Sequence, residues 1–580
     1  VGQRKIFVLA AALIAGALLF PAARSRRDSP ISLEAFALAS SLAASLSIAG
    51  WRAWAPLAWL APIVMLCLLL PGVPRLQLRG WAWQAAAIGV SAWVAALCAL
   101  FPYPGSHQVV RPSLRSARGS PPASGSSVIL IVIDTLRQDH LSLYGYSRNT
   151  TPHLDRWARD ALVFRNATST GSRTLPSHAS MFTGLSVRRH GAHGFRGSEN
   201  GGNAHPLSPD RVTLAELASA AGYETAAIAA NHIYVSRRYG LDQGFDTFWV
   251  EFPHTGFRMP ISDRLLRRFS PWQWREVAWY YYRDRTVTDN AIRWIRAAHG
   301  RPFFLFLNYM DVHDPNGRPP VPEVPLEEED AVWLRPWNYW PVIRGDAPLT
   351  GEIRRYLTNS YDRELIHLDG ELDRLFRFLE ETDLARRAAV IVTSDHGEYF
   401  GEHGLLKHGL DLHEEVTRVP LLVKRPGGPR GWSDKPVQSS DIFPTVLELL
   451  GIRHKAVVDG TSVFGPEVRP IVSEWYPSQR KYALDPVFQG RFDRTIRTLR
   501  KGSMKLFADD RGFTALYDLQ RDPAEAIDLS HDRPEMLHAL KQRLDEWLER
   551  HPPPRTARSG GPERLSPGDT RRLKALGYLE

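Results

Sequence analysis

Cysteine is nearly absent: the 580 residues hold two, Cys67 and Cys98, both inside apolar runs. Beyond residue 98 there is no thiol nucleophile, no Cys-based zinc site and no disulfide, and cysteine usage says nothing about redox compartment. Nucleic-acid signatures are missing too. The formal net charge is +10, yet no basic helix, zinc-finger spacing or RNA-binding signature accompanies it. The charge therefore suits an anionic substrate or an anionic membrane surface, and no nucleic-acid partner is expected. No internal repeat is evident.

Charge is scarce in the first hundred residues. Ile6 to Ala23, Ala35 to Gly50, Ala53 to Val73 and Trp81 to Phe101 carry no charged side chain. The last two reach the roughly 20 residues that a helix needs to cross a bilayer. The first is marginal, and the second is short and rich in Ser and Ala. Trp near the ends fits the membrane interface, so residues 1–101 read as an α-helical membrane domain with about four apolar helices. Arg4 to Ala23 also has the order of a signal peptide: a basic start, an apolar run, then small residues. With four spans the flanking Arg and Lys are nearly balanced, and the positive-inside rule does not choose. If the first stretch does not cross, the rest of the chain falls on the outer, periplasmic or extracellular, side. The expected location is the cell membrane, multi-pass, with the catalytic domain outside.

Residues 102–126 are rich in Pro, Ser, Gly and Arg and read as a linker. Then "SSVILIVIDTLR" gives a short β-branched run ending at Asp134. Such a continuous apolar run is the mark of a strand buried on both faces of a parallel sheet. It returns at "RPFFLFLNYMDVH" (301–313), "RAAVIVTSDHG" (387–397) and "RVPLLVKRP" (418–426). Helical stretches lie between, including residues 363–381, with Leu365, Leu368, Leu372, Leu375, Phe376 and Leu379 on one face. Strands alternating with helices predict a layered α/β fold. The expected organisation is a catalytic domain over 127–465, a smaller C-terminal subdomain over 466–550 and a tail over 551–580.

Ligands bind beyond the carboxyl ends of the strands in open α/β sheets. Asp134, the pair Asp311 and His313, and the pair Asp395 and His396 follow such ends. Asp134 with Asp395 and His396 offers two carboxylates and an imidazole, a set suited to zinc or manganese with an open position. Each alone also reads as a helix cap. Thr174 sits in "GSRTLPSHASMFTG" (171–184), whose small and hydroxylated residues read as a loop as readily as a nucleophile site.

Three segments taken together, "IVIDTLRQDHLSLYGYSRNTTPHLDRWA" (131–158), "TLPSHASMFTGL" (174–185) and "SDHGEYFGEHGLLKHG" (394–409), resemble the sulfatase branch of the alkaline phosphatase superfamily. Fainter echoes are "LNYMDVHDP" (307–315), "DIFPTVLELLGI" (441–452) and "ALYDLQRDPAEAIDLS" (515–530). The resemblance covers roughly 127 to 580. It implies an alkaline-phosphatase-like α/β/α sandwich and a metal ion that activates a hydroxyl to attack a phosphate or sulfate ester, giving a covalent intermediate. By position, Asp134, Thr174, Asp395 and His396 hold the ion and Thr174 is the nucleophile. A cation near a Thr hydroxyl lowers its pKa and stabilises charge on the transferring group.

The departures from that pattern are informative. Sulfatases carry Cys or Ser where Thr174 stands and oxidise it to formylglycine. Thr would yield a ketone, so Thr174 is expected to act as itself, as in the superfamily's phosphatases, phosphodiesterases and phosphoethanolamine transferases. Thr135 and His396 replace an Asp and an Asn, which moves the preference from calcium, still possible, towards zinc or manganese. His408 matches a His near the phosphate in phosphoethanolamine transferases, and His313 a His near the leaving group; these are the further catalytic candidates. His178, Asn231, His232 and Lys407 are substrate-binding candidates. Arg137 and Arg173 fit a bidentate grip on the anion or ordinary salt bridges equally well. The aromatic, Arg-rich stretches 267–285 and 332–346 fit sugar stacking, a membrane interface or simple loop packing.

The expected protein is thus a membrane-anchored, metal-dependent hydrolase or transferase of phosphate-type esters, with an anionic substrate that is lipid- or glycan-linked. The rivals are a sulfuric ester hydrolase using Thr174 without formylglycine, a metal-free Thr–His–Asp hydrolase, and an inactive membrane-anchored binding protein on the same fold.

Overall fold

The computed structural model describes residues 126–194, 204–250, 284–298, 300–313, 340–466, 469–477 and 490–554. The four N-terminal apolar stretches, all but the last residue of the linker, residues 555–580 and most of the two aromatic stretches lie outside the described residues. Among the described residues, no helix is long and apolar enough to cross a membrane.

The four apolar runs form strands, and further strands join them. In chain order they are β1 (Ser127–Ile133), β2 (Leu162–Thr168), β3 (Glu224–Ala229), β4 (Thr247–Val250), β5 (Phe303–Tyr309), β6 (Ala388–Ser394), β7 (Tyr399–Phe400), β8 (Leu406–Lys407), β9 (Leu421–Lys424) and β10 (Gly431–Gln438). Eight of them make one sheet in the order β10-β2-β9-β6-β1-β5-β3-β4, while β7 and β8 pair as a small ribbon. Every residue of β1, β5 and β6 is buried, as expected of strands covered on both faces.

The pleat sorts alternate residues to opposite layers. Ile129, Ile131, Ile133, Leu305 and Leu307 join one core, whereas Val128, Leu130, Val132, Phe304 and Phe306 join the other. The helices that cover them include α1 (Thr174–Thr183), α2 (Asp284–Ala297), α3 (Gly351–Glu381) and α4 (Ile442–Leu449). Trp294 of α2 and the predicted Leu365–Leu379 stripe of α3 cover the first face. Leu175, Met181 and Phe182 of α1 and Phe443 of α4 cover the second. The result is an α/β/α sandwich. At about 1.5–3 kcal/mol per buried large side chain, the six-residue stripe of α3 contributes on the order of 10 kcal/mol of gross burial. Thr350 caps that helix, accepting from the Ile353 amide at 3.2 Å.

One strand departs from expectation. The run around Leu421–Lys424 predicts a parallel strand, but β9 lies antiparallel to both β2 and β6. Burial on both faces makes a run apolar whichever way it points, so apolarity carried no information on direction. The sheet is mixed.

The C-terminal part forms β11 (Ile471–Trp475), β12 (Ile496–Lys501), β13 (Met504–Asp509), β14 (Thr514–Asp518) and helix α5 (Pro534–Arg550). These strands make an antiparallel four-stranded sheet. One face packs Val472, Leu499, Leu506 and Leu516 on Leu540, Leu544 and Trp547 of α5. The other packs Trp475, Ile496, Phe507 and Tyr517 on Tyr399, Leu405, Leu406, Leu410 and Leu412. The second sheet therefore braces the loop that follows β6.

Candidate active site and metal centre

Register brings the site together. Ile133 pairs with Ser394 across β1 and β6, so the next residues, Asp134 and Asp395, emerge side by side. The backbone turns sharply there: Thr135 has φ 59°, a left-handed value that a β-branched residue adopts only when held. Asp395 Oδ1 accepts the Thr135 amide at 3.3 Å, Ser394 Oγ accepts the Leu136 amide at 2.9 Å, and Tyr361 of α3 donates to the Thr135 carbonyl at 2.9 Å.

Asp134, Asp395 and His396 are fully buried, and their ligand-type atoms lie within 4.8 Å of one another. His396 Nε2 is 3.7 Å from Asp134 Oδ1 and 3.5 Å from Asp395 Oδ2. Its Nδ1 sits 2.9 Å from the Gly397 carbonyl; that bond takes the ring proton and leaves the Nε2 lone pair facing the carboxylates. Asp134 Oδ1 and Asp395 Oδ2 are buried without a hydrogen-bond partner. Burial, then the neighbouring Asp395, pushes Asp134 up to about 8. Burial likewise pushes Asp395 up to about 7, against the backbone amides that lower it. Two orphaned buried carboxylates opposite an imidazole lone pair fit a divalent cation, which would relieve the repulsion and desolvation together. A set with one nitrogen and two carboxylates is too poor in oxygen to favour calcium.

Thr174 is the first residue of α1 and its hydroxyl reaches the same point, 3.5 Å from both Asp134 Oδ2 and His396 Nε2. No side chain caps this helix. Its positive end is thus turned on the cluster, where an anion is stabilised. All ten residues of α1 are buried, which fixes the hydroxyl.

The other predicted residues divide into groups. Asn231 belongs to the carboxylates: Nδ2 donates to Asp134 Oδ2 at 2.7 Å, and Oδ1 accepts the Ile233 and Tyr234 amides at 3.2 and 3.0 Å. It orients Asp134. His178, one turn into α1, lies behind the site: Nδ1 is 2.8 Å from the Thr174 carbonyl and 3.5 Å from Asp395 Oδ2, and burial lowers it to about 4. His408 lies beside His396, ring centroids 4.5 Å apart, and His313 beside His408 at 4.9 Å. Burial and then neighbouring cationic groups hold both well below the usual histidine range. Lys407, in a left-handed conformation at φ 68°, is lowered to about 7 by burial and bears on both rings. His232 is half-buried, shortly after the end of β3.

The arginines are mostly committed elsewhere. Arg137 directs its guanidinium to Asp139, Glu402 and the Glu398 carbonyl, so it works as a brace below the site. Arg173 donates from Nε and Nη2 to the Gly409 carbonyl at 3.1 and 2.7 Å; its charge still depresses His396 and His408.

Two residues escaped sequence reasoning. Glu398, buried, places both carboxylate oxygens 3.3 Å from His408 Nδ1 and so sets the orientation of that ring. Asn308 accepts the Asn231 amide at 2.9 Å, tying β5 to the residue that holds Asp134. Glu398 follows directly on the Asp-His-Gly motif, which was the available signal; Asn308 lies in the stretch 307–315, where nothing singled it out from its neighbours.

Residues 126–452 match the family described as "Sulfatase". The chain belongs to the sulfatase family. It is an enzyme of that superfamily. Residues 401–551 match "N-sulphoglucosamine sulphohydrolase, C-terminal". A multifunctional alkaline phosphatase superfamily protein, PehA, from Trinickia caryophylli is 25% identical over 502 residues, covering 70% of this chain and 91% of that protein. An arylsulfatase from Clostridium perfringens is 24% identical over 470 residues, covering 73% and 94%. In fold, this sulfatase-family chain is similar to the phosphonate monoester hydrolase of Agrobacterium radiobacter, with a TM-score of 0.58, 20% identity and coverage of 74% and 96%. The alkaline-phosphatase-like core follows.

Proposed function

We propose that this sulfatase-family enzyme cleaves or transfers phosphate-type esters through Thr174 as the nucleophile, with a covalent threonine ester as intermediate. The observation that carries the reading is the Thr174 hydroxyl at the start of a buried helix, 3.5 Å from both Asp134 and His396. A divalent ion held by Asp134, Asp395 and His396 beside Thr174, with zinc or manganese favoured, would act as a Lewis acid that activates the hydroxyl and offsets charge on the transferring group. The remaining work belongs to the chain. The α1 N-terminus stabilises anionic oxygens. His313 and His408, kept neutral by burial and by the cationic groups around them, would donate hydrogen bonds to the ester oxygens, and the charge of a bound anion would let them take up a proton for the leaving alkoxide, with Glu398 holding His408 in place. Lys407 adds a positive charge beside these two rings, and His232 is a further candidate contact to the anion. Water or a second alcohol then releases the group from Thr174.

Sulfate ester hydrolysis is the second reading, favoured by the family match and by the match of residues 401–551 to a sulphohydrolase C-terminal region. Thr174 would serve there without formylglycine. The apolar stretches up to residue 101 support a multi-pass membrane anchor, with the enzyme on the outer face if the first stretch does not cross, and the basic net charge supports an anionic substrate. The test is turnover of paired aryl phosphate, phosphodiester and aryl sulfate substrates by wild type, Thr174→Ser and Thr174→Ala, with metal analysis of each. Phosphoester turnover kept in part by Ser and lost in Ala, with metal retained, supports the proposal. Sulfate turnover alone selects the second reading, and no turnover with no metal leaves a binding protein.

A further inference from the structure

A second cluster of ionisable groups lies where the catalytic loop meets the C-terminal sheet. His403 and His413 stack face to face, ring centroids 3.7 Å apart and planes 7° from parallel. His413 stacks in turn on Phe507 of β13 at 5.3 Å and lies edge-on to Tyr517 of β14 at 6.1 Å. The column thus runs from the turn preceding β8, the strand that ends in Lys407, into the second sheet. Carboxylates stand at its edges: Glu415 Oε2 is 3.4 Å from His403 Nε2, and Glu525 Oε2 is 3.3 Å from His413 Nδ1. Glu525, at φ 49°, also accepts the Glu414 amide at 2.6 Å, and Lys505 Nζ lies 2.9 Å from both Glu525 and Glu414. Tyr399 sits edge-on to His403 and accepts the His413 amide. Asp411 faces Arg494, Glu414 faces Arg500, and Arg491 donates to the His403 carbonyl.

Two His and a Glu suggest an ion, but the geometry refuses one. An ion must lie near the plane of each imidazole that binds it, and two parallel rings at stacking distance offer no common in-plane point. Lys505 already occupies Glu525. A proton fits where an ion does not: one imidazolium can stack on a neutral imidazole while each ring edge faces a carboxylate.

We propose that His403, stacked on His413, carries a proton that fastens the loop bearing Lys407 and His408 onto the C-terminal sheet, so that this docking loosens as pH rises. Burial pulls His403 down, but the Glu415 carboxylate 3.4 Å from its Nε2 and the charges of Glu525 and Asp411 override it and hold the ring above its ordinary 6.5. A histidine raised in the docked state stabilises that state fully below 6.5 and ceases to do so as pH climbs through the docked-state value. The device is independent of the ester that the enzyme cleaves.

The test is amide hydrogen exchange of residues 399–413 in the full chain, corrected for intrinsic rate, between pH 6 and 8. Protection should fall by about tenfold in wild type, equivalent to about 1.4 kcal/mol of lost docking free energy. It should lose its pH dependence in His403→Phe, which keeps the stack. Glu415→Gln leaves both rings in place and should move the transition to lower pH, which covers the case of a His403 variant that does not fold. Equal protection at pH 6 and 8 in wild type, or an unmoved transition in Glu415→Gln, overturns the proposal. So does a second equivalent of zinc that binds wild type and is lost in His403→Phe.

Discussion

Asn231→Ala isolates the support beneath the metal centre. The amide donates to Asp134 Oδ2 at 2.7 Å in a buried site, and a hydrogen bond to a charged group of this kind is worth about 1.5–3 kcal/mol. At 1.4 kcal/mol per decade, metal affinity should fall about tenfold to about 150-fold, which overlaps the roughly 10–100-fold typical of residues that orient ligands. The same truncation frees the Ile233 and Tyr234 amides, costing about 1 kcal/mol each in stability. The two effects separate by assay: competitive metal titration on the folded protein reports the first, and urea unfolding with metal in excess reports the second. Thr174 is not touched, so kcat at saturating metal should change less than affinity does. A folded variant whose metal affinity stays within threefold of wild type would refute the argument that Asn231 positions Asp134.

Other expectations follow from the same geometry. Loading requires both carboxylates to be ionised, and burial raises Asp134 to about 8 and Asp395 to about 7. Apparent metal affinity should therefore climb by close to two decades per pH unit below 7 and about one between 7 and 8; a flat titration from pH 6 to 8 contradicts the site. Glu398→Ala should lower kcat more than it raises KM and should add little to His408→Ala, because both act through one ring; full additivity in the double mutant contradicts that link. Gly397→Ala places a Cβ 2.0 Å from the Glu415 carbonyl oxygen, so activity and melting temperature should both drop, and wild-type behaviour would show the contact to be slack.

Much of this was legible because the chemistry sits at strand ends. The apolar runs locate β1, β5 and β6, and a strand buried on both faces can end only where polar residues begin, which picks out Asp134, Asp395 and His396 directly. The helical stripe from Leu365 to Leu379 was equally plain. What the sequence withheld were pairings set by tertiary contact. The direction of β9 left no trace in its composition. The bond from Asn231 to Asp134 joins residues 97 positions apart, so its role in holding that carboxylate left no local mark. For Arg137 an anion grip and salt bridges read equally well, and Glu402, 265 residues away, pairs with it. The His403–His413 stack depends on Phe507 and Glu525 arriving from another sheet, and no local pattern announces that.

The central claim is that Thr174 itself forms the covalent intermediate. Acid quench of the metal-loaded enzyme during turnover of a phosphorus-labelled aryl ester, followed by peptide mapping, tests it directly. Label should appear on the peptide beginning at Thr174, be present in Thr174→Ser and be gone in Thr174→Ala. Label on another residue, or turnover that persists in Thr174→Ala, would contradict it.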